Sequence, residues 1–277
     1  MRFVIALPFL WLAVFFLLPF ALVLAIALGS NAPDLAPPVE LGFSLKNFAL
    51  LFTDDLYVAA WLSSLRIAAT ATVVTLLLGY PMAYAIARTS ARWRPVLLML
   101  VILPFWTSFL IRVYAWIGLL ANNGLLEQFL RWTGLAQNPE TILGTEWAVQ
   151  LGIVYAYLPF MVLPLYAALE KLDLGLLEAA ADLGAPPVAA FLTITLPLSL
   201  PGVVAGCLLV FIPAVGEFVI PDLLGGPDTL MIGKVIWAEF FDNRDWPVAS
   251  AVAVAILILL VAPIMLYQRN EARAEAK

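Results

Sequence analysis

The sequence predicts an all-α membrane protein with six spanning helices, and three observations carry that prediction. Hydrophobic residues make up 64% of the 277 positions and charged residues only 12%, about half the charged share of a soluble domain. Mean hydropathy is +1.01. Six apolar runs, at about 3–28, 61–87, 95–120, 147–169, 198–221 and 248–267, are each long enough to cross a ~30 Å hydrocarbon core at about 1.5 Å per residue. Hydrocarbon offers backbone groups no partner, so runs of this length read as helices and not strands.

The first run follows Arg2 and ends on AIALGS, which has the outline of a signal peptide. Its apolar part exceeds the ~7–15 residues of such a segment, so it is expected to remain as a spanning helix. The second run carries Arg66, the third Arg112, and the fifth both Cys207 and Glu217. Between the fourth and fifth lies the longest inner loop, 170–196, and residues 1–277 are expected to form one transmembrane domain.

Basic residues set the orientation. With the N-terminus inside, the inner face collects Arg2, Arg88, Arg92, Arg94, Lys171, Arg269, Arg273 and Lys277, against Lys46, Arg131, Lys234 and Arg244 outside. That bias places both termini in the cytoplasm. The outer face also holds Asp34, Glu40, Asp54, Asp55, Glu127, Glu140, Glu146, Asp222, Asp228, Glu239, Asp242 and Asp245. An acidic outer face attracts cations, although acidic residues also simply solubilise exposed loops.

Other residue types exclude chemistry. The lone Cys207 cannot form an intrachain disulfide, and the absence of histidine removes His-ligated metal sites and Ser-His-Asp or Cys-His catalysis. Gly233-Lys234 lacks the upstream glycine and following hydroxyl of a phosphate-binding loop. No catalytic residue, bound metal or nucleotide is expected in this chain.

The inner loop contains LEAAADLGAPPVAAFLTITLP, residues 177–197. Leu176, Leu177, Ala180, Ala181 and Leu183 recur at helical spacing and predict a short amphipathic helix over LGLLEAAADL, with Glu178 and Asp182 one turn apart. Gly184 suits its C-terminal stop, and Pro186 and Pro187 suit the first turn of a second helix. The small residues Ala179, Ala180 and Ala181 let another backbone approach closely.

Glu178, Ala179 and Ala180, then Gly184, then Ile194, Leu196 and Pro197, fall at the spacing of the EAA loop, and the segment resembles that of ATP-binding-cassette importer permeases. The stretches PFWTSFLIRVYAW (104–116), LPFMVLPLYAALEKLD (158–173) and VGEFVIPDLLGGPDTLMIGKVIWAEFFDNRDWPVASA (215–251) resemble the polyamine branch of these permeases, most closely its putrescine-system members. The resemblance implies the type I permease fold and uptake of putrescine or spermidine by alternating access across the bacterial inner membrane. It also implies that the loop, Asp182 included, seats on a cytoplasmic ATPase. Two ATPase copies would hold ATP and Mg, a second homologous permease would complete the pathway, and a periplasmic polyamine-binding protein would deliver substrate. Nucleic acid is not an expected partner, and another small solute remains an alternative substrate.

The outer segments 43–52, 123–134 and 222–246 are amphipathic and aromatic. Trp237, Phe240, Phe241 and Trp246 fit either a docking surface or an aromatic belt. Arg66, Arg112 and Glu217 fall inside expected spans, where charges are costly and usually paired or facing a cavity. Arg112 and Glu217 lie at similar depths, ~25 and ~29 Å from the inner ends. Two readings of Glu217 stay open. It pairs with Arg112 or Arg66, or it faces the pathway and receives an alkylammonium group, with Asp222 about a turn beyond. Trp106, Tyr114, Tyr155 and Tyr157 would then offer ring faces worth ~0.5–2 kcal/mol each. A secondary transporter would also combine six helices with buried charges, but paired interrupted segments in two halves are not evident.

Overall fold

The computed structural model describes residues 2–134, 142–227 and 229–275. Glu140, Asp228 and Lys277, named above for their charge, lie outside the described residues.

The chain opens with α1 (Arg2–Leu12), a π turn (Ala13–Leu17) and α2 (Leu18–Ala27). A two-residue antiparallel pair follows, β1 (Ser30–Asn31) with β2 (Val39–Glu40), in the register Ser30 to Glu40 and Asn31 to Val39. Next come α3 (Lys46–Thr53), α4 (Asp55–Arg88), α5 (Arg94–Ile102), a 3-10 turn (Leu103–Trp106), α6 (Phe109–Leu120) and α7 (Leu125–Thr133). After α8 (Glu146–Glu170) and α9 (Gly175–Asp182), α10 (Pro187–Ala190) runs through a π turn (Phe191–Thr195) into α11 (Leu196–Val215). The chain continues with α12 (Val219–Leu224), α13 (Ile232–Trp237), a π turn (Ala238–Asp242) and α14 (Trp246–Glu275).

Among the described residues, five helical stretches are long and apolar enough to cross a bilayer: Ala6–Ala27, Asp55–Arg88, Phe109–Thr133, Glu146–Glu170 and Pro187–Val215. The shorter apolar stretches Arg94–Trp106 and Trp246–Val261 fall near the start of the third and sixth expected runs.

Two expected runs are revised. The run at 95–120 is interrupted, because Pro104 tightens the chain into the 3-10 turn and Thr107 is extended. Thr107 satisfies the exposed carbonyl of Pro104 twice, through its N–H at 3.3 Å and its hydroxyl at 2.8 Å. The run at 198–221 instead begins at Pro187 and ends at Val215. Prolines explain its widened start. Pro197 has no N–H and its ring would press on the carbonyl four residues back. One turn earlier the helix opens, and the Leu196 N–H reaches the carbonyl of Phe191. The π turn ahead of Pro19 has the same relation to its proline.

The chain divides into two compact units, Met1–Ser63 with Leu230–Lys277, and Ser64–Thr229. In the first, α2 and α3 pack on α14 around Ala27, Leu51, Ala251 and Val252, all buried. Asn47 donates from Nδ2 to the carbonyls of Ala27 and Gly29, each at 2.8 Å, and so satisfies the end of α2. The Tyr57 hydroxyl donates to Glu239 at 2.8 Å, and Asp245 accepts from the Val248 N–H at the start of α14 at 3.1 Å.

The second unit is built on α8. Met161, Val162, Leu165 and Leu169 of α8 bury against Ala83, Ile86 and Ala87 of α4 and Val210 of α11. Lipid tails are as apolar as leucine, so this packing depends on small residues and close contact instead of solvent exclusion. Gly206 shows the geometry: a Cβ there would lie 2.7 Å from the Met161 sulfur and 3.2 Å from its carbonyl oxygen. At Gly202 a Cβ would lie 2.8 Å from the carbonyl oxygen of Pro164.

Gly202→Val should therefore lower the melting temperature of the purified protein and its yield, at a cost of about 1–3 kcal/mol for overpacking against backbone. Gly118→Ala, where a Cβ meets nothing within 4 Å, is the matched control. Equal melting temperatures for both variants would contradict this packing.

Candidate functional site

Two interruptions of the apolar chain carry the candidate residues, the inner loop at α9 and the break after α11.

At the first, Asp173 accepts the Gly175 N–H at 2.9 Å and starts α9. The helix closes when the Ala185 N–H reaches the Ala180 carbonyl at 3.0 Å and the Gly184 N–H reaches that of Ala181 at 2.9 Å. Gly184 pays for this with φ +79°, a left-handed conformation that side-chain-bearing residues adopt only under strain. Nothing lies within 4 Å of the position a Cβ would take there. Pro186 is extended and Pro187 opens α10, as the spacing predicts.

The motif residues divide into two groups. Glu178, Ala179, Asp182 and Gly184 are exposed and Ala180 is half-buried. Around them Leu174, Leu176, Leu183 and Val188 also stand out from the surface, with Leu183 89% exposed. A short helix that offers small residues, two acids and bare leucines on its surface has an unpartnered face. Ile194, Leu196 and Pro197 instead belong to the π turn and the start of α11. They join the loop to the span without an intervening coil, so one helical stretch of 29 residues runs from Pro187 to Val215, a length of about 43 Å.

The second interruption begins where that stretch ends. Gly216, Glu217 and Phe218 separate α11 from α12. Glu217 is thus not inside a helical span but in the break, where it is 8% exposed. Its Oε1 accepts from the amides of Phe218, Val219 and Ile220 at 3.2, 3.0 and 3.4 Å. Its Oε2 accepts from the Tyr157 hydroxyl at 2.5 Å. One carboxylate therefore satisfies the first amides of α12 and the phenol of α8 together.

Arg112 and Glu217 face the same cavity, about 430 Å³, whose wall includes Tyr157, Phe105, Phe109 and Phe160. They do not form an ion pair, whereas Arg66 and Glu146, Arg94 and Glu170, and Arg131 and Glu127 do. The Arg112 guanidinium lies over the rings of Phe105 and Phe109, at 5.2 and 5.8 Å from their centroids. Its Nε is buried without a hydrogen-bond partner. Arg66 likewise does not reach Glu217. It pairs with Glu146 at 2.5 Å, and the neighbouring Gln150 donates to Thr70.

Of the four aromatic residues expected near Glu217, Tyr157 alone lines its cavity. Tyr155 stands edge-on to Trp116 with centroids 5.4 Å apart. Trp106 and Tyr114 are 71% and 58% exposed, and Asp222 is exposed on α12. Phe105, Phe109 and Phe160 complete the wall and are not among the residues expected there. Phe109 stands three residues before Arg112, a spacing that puts both on one helix face, and this signal was present in the sequence.

Replacing Glu217 with alanine strands several amides in a low-dielectric break, so Glu217→Ala should cost about 1–3 kcal/mol and Tyr157→Phe about 1 kcal/mol. Thermal unfolding of the two purified variants checks the order. A Tyr157→Phe protein less stable than Glu217→Ala would contradict it.

Residues 76–273 match the family described as binding-protein-dependent transport system inner membrane component. The spermidine/putrescine transport system permease protein PotB of Haemophilus influenzae is 45% identical over 96% of this chain and 92% of its own length. PotB of Escherichia coli is 43% identical over 94% and 93%. The Escherichia coli inner membrane ABC transporter permease protein YdcU is 33% identical over 85% and 79%. A solved bacterial ABC transporter involved in the import of alginate superposes with a TM-score of 0.70 at 20% identity, covering 100% of this chain and 96% of that one. The PotB names carry both polyamines and so do not choose between putrescine and spermidine. With its fold shared and its length matched nearly end to end, the chain belongs to the binding-protein-dependent inner-membrane permeases of ATP-binding-cassette importers and has their type I permease fold.

Proposed function

We propose that this permease takes up a polyamine, putrescine or spermidine, by alternating access. The relatives' names give the substrate class, and the carboxylate that Glu217 presents to its cavity suits it. The chain itself performs no catalysis. ATP and Mg belong to two copies of a cytoplasmic ATPase, which seats on α9 through Glu178, Ala179, Ala180, Asp182 and Gly184. A second homologous permease completes the pathway, and a periplasmic polyamine-binding protein docks on the outer loops near Trp237, Phe241 and Trp246. Both termini lie in the cytoplasm of a bacterial cell.

The observation that carries this reading is the continuous stretch from Pro187 to Val215. It begins three residues after the exposed turn at Gly184 and ends two residues before Glu217. A rigid helix transmits displacement along its length, so closing the ATPases against α9 moves the break that holds the carboxylate. An ammonium entering the cavity loses water and gains Glu217 Oε2 and the Tyr157 oxygen, with the aromatic wall beside them.

The test is uptake of labelled putrescine and spermidine into vesicles holding the full complex, with ATP inside and loaded binding protein outside. Uptake should require ATP and the ATPase. Gly184→Asp, which puts a charged side chain at the left-handed turn of the ATPase seat, should lower uptake roughly tenfold to hundredfold, the usual scale of coupling between sites. Normal uptake by the Gly184→Asp complex would contradict docking at α9. Gradient-driven uptake by this chain alone would favour a secondary transporter.

A further inference from the structure

Arg112 is the unusual charge in this cavity. It is anchored by the aromatic faces of Phe105 and Phe109 and not by a carboxylate of the described residues. Its buried Nε has no hydrogen-bond partner, although Glu217 lines the same 430 Å³ space. The reason lies with Glu217, which already accepts three amides and a phenol. Three of these contacts fall on Oε1 and one on Oε2, so of the carboxylate's about four lone-pair sites only one, on Oε2, is left for a cation, while the guanidinium stays over its rings.

The local chain fixes this arrangement. Phe105 belongs to the 3-10 turn made by Pro104, and the break at Thr107–Ser108 lets α6 restart with Phe109 and Arg112 one turn apart. The two rings therefore approach the guanidinium from different elements. An uninterrupted helix over 95–120 would not bring them together in this way.

We infer that Arg112 is a tethered cation that covers the aromatic wall of the Glu217 cavity and limits how many positive charges of a linear polyamine enter it. The inference rests on the reading of Glu217 as the ammonium acceptor. With Arg112 in place, one terminal ammonium sits at Glu217 and Tyr157. The methylene chain follows along apolar Phe160, Pro213 and Val219. Each further ammonium finds the Phe105 and Phe109 faces already occupied and meets a fixed positive charge, a cost borne once by a diamine and twice by a triamine. Arg112 thus acts as a specificity residue that reads charge number.

The experiment measures equilibrium binding of radiolabelled putrescine, a diamine, and spermidine, a triamine, to the assembled importer in nanodiscs without its binding protein. Omitting that protein removes its own selectivity. Arg112→Gln should tighten both amines, and the triamine about tenfold more than the diamine, the scale of one recovered cation–π contact. Arg112→Lys should keep the wild-type ratio. Phe105→Leu, which loosens the guanidinium while retaining its charge, should shift the ratio in the same direction as Arg112→Gln by a smaller factor, and it serves if the glutamine variant fails to assemble. An unchanged triamine-to-diamine ratio in Arg112→Gln, or in Phe105→Leu where only that complex forms, overturns the inference. Glu217→Gln separates the two ideas. If it abolishes binding while the Arg112 ratio stays fixed, only the role of Arg112 fails. If it leaves both amines bound normally, the reading of Glu217 fails first.

Discussion

A chain in hydrocarbon must satisfy its own backbone, because an unpaired amide or carbonyl there costs several kcal/mol and no water relieves it. Unbroken helices meet the requirement without help, so each break calls for a local solution. The carboxylate of Glu217 is the one on which the most depends, since it holds the amides of Phe218 and of the first two residues of α12, and the hydroxyl of Tyr157. Elsewhere Asn47 closes the end of α2, Thr107 covers Pro104, and π turns precede Pro19 and Pro197. The same carboxylate that makes the break after α11 tolerable is also the acid presented to the cavity, so structure and proposed binding share one group.

The two halves of the EAA segment are built differently. Glu178 to Gly184 form a surface, shaped by the left-handed turn at Gly184 and left bare. Ile194 to Pro197 form a joint, in which the widened turn lets a helix pass through a proline without stopping. A coil in place of that joint would absorb movement. The continuous stretch instead runs from Pro187 to Val215, two residues from Glu217, which is the geometry the proposed coupling needs.

Much of this was legible in the sequence. Apolar run length and composition locate the spans at 147–169 and 61–87 to within a few residues, apart from an early start at Asp55, because hydrophobic thickness imposes the same length on each. The stop at Gly184 and the start at Pro187 follow from the conformations those residues allow. The breaks were not legible, since Pro104 and Gly216 lie in apolar surroundings that a hydropathy window averages away. The partner of Arg66 is not legible in the sequence either. That partner, Glu146, reads with the outer loops, although it forms the first residue of α8. Depth alone suggested an Arg112–Glu217 pair, but depth says nothing of azimuth around a helix or of how many donors a carboxylate already has.

The central claim is that Glu217 holds the break between α11 and α12 together. Hydrogen–deuterium exchange at the amides of Phe218, Val219 and Ile220, in the assembled transporter, tests it most directly. Wild-type protein should protect these amides, and Glu217→Ala should expose them to faster exchange while amides in the middle of α11, around Gly206, remain unchanged. Equal protection of residues 218–220 in the wild-type and Glu217→Ala transporters would contradict the account.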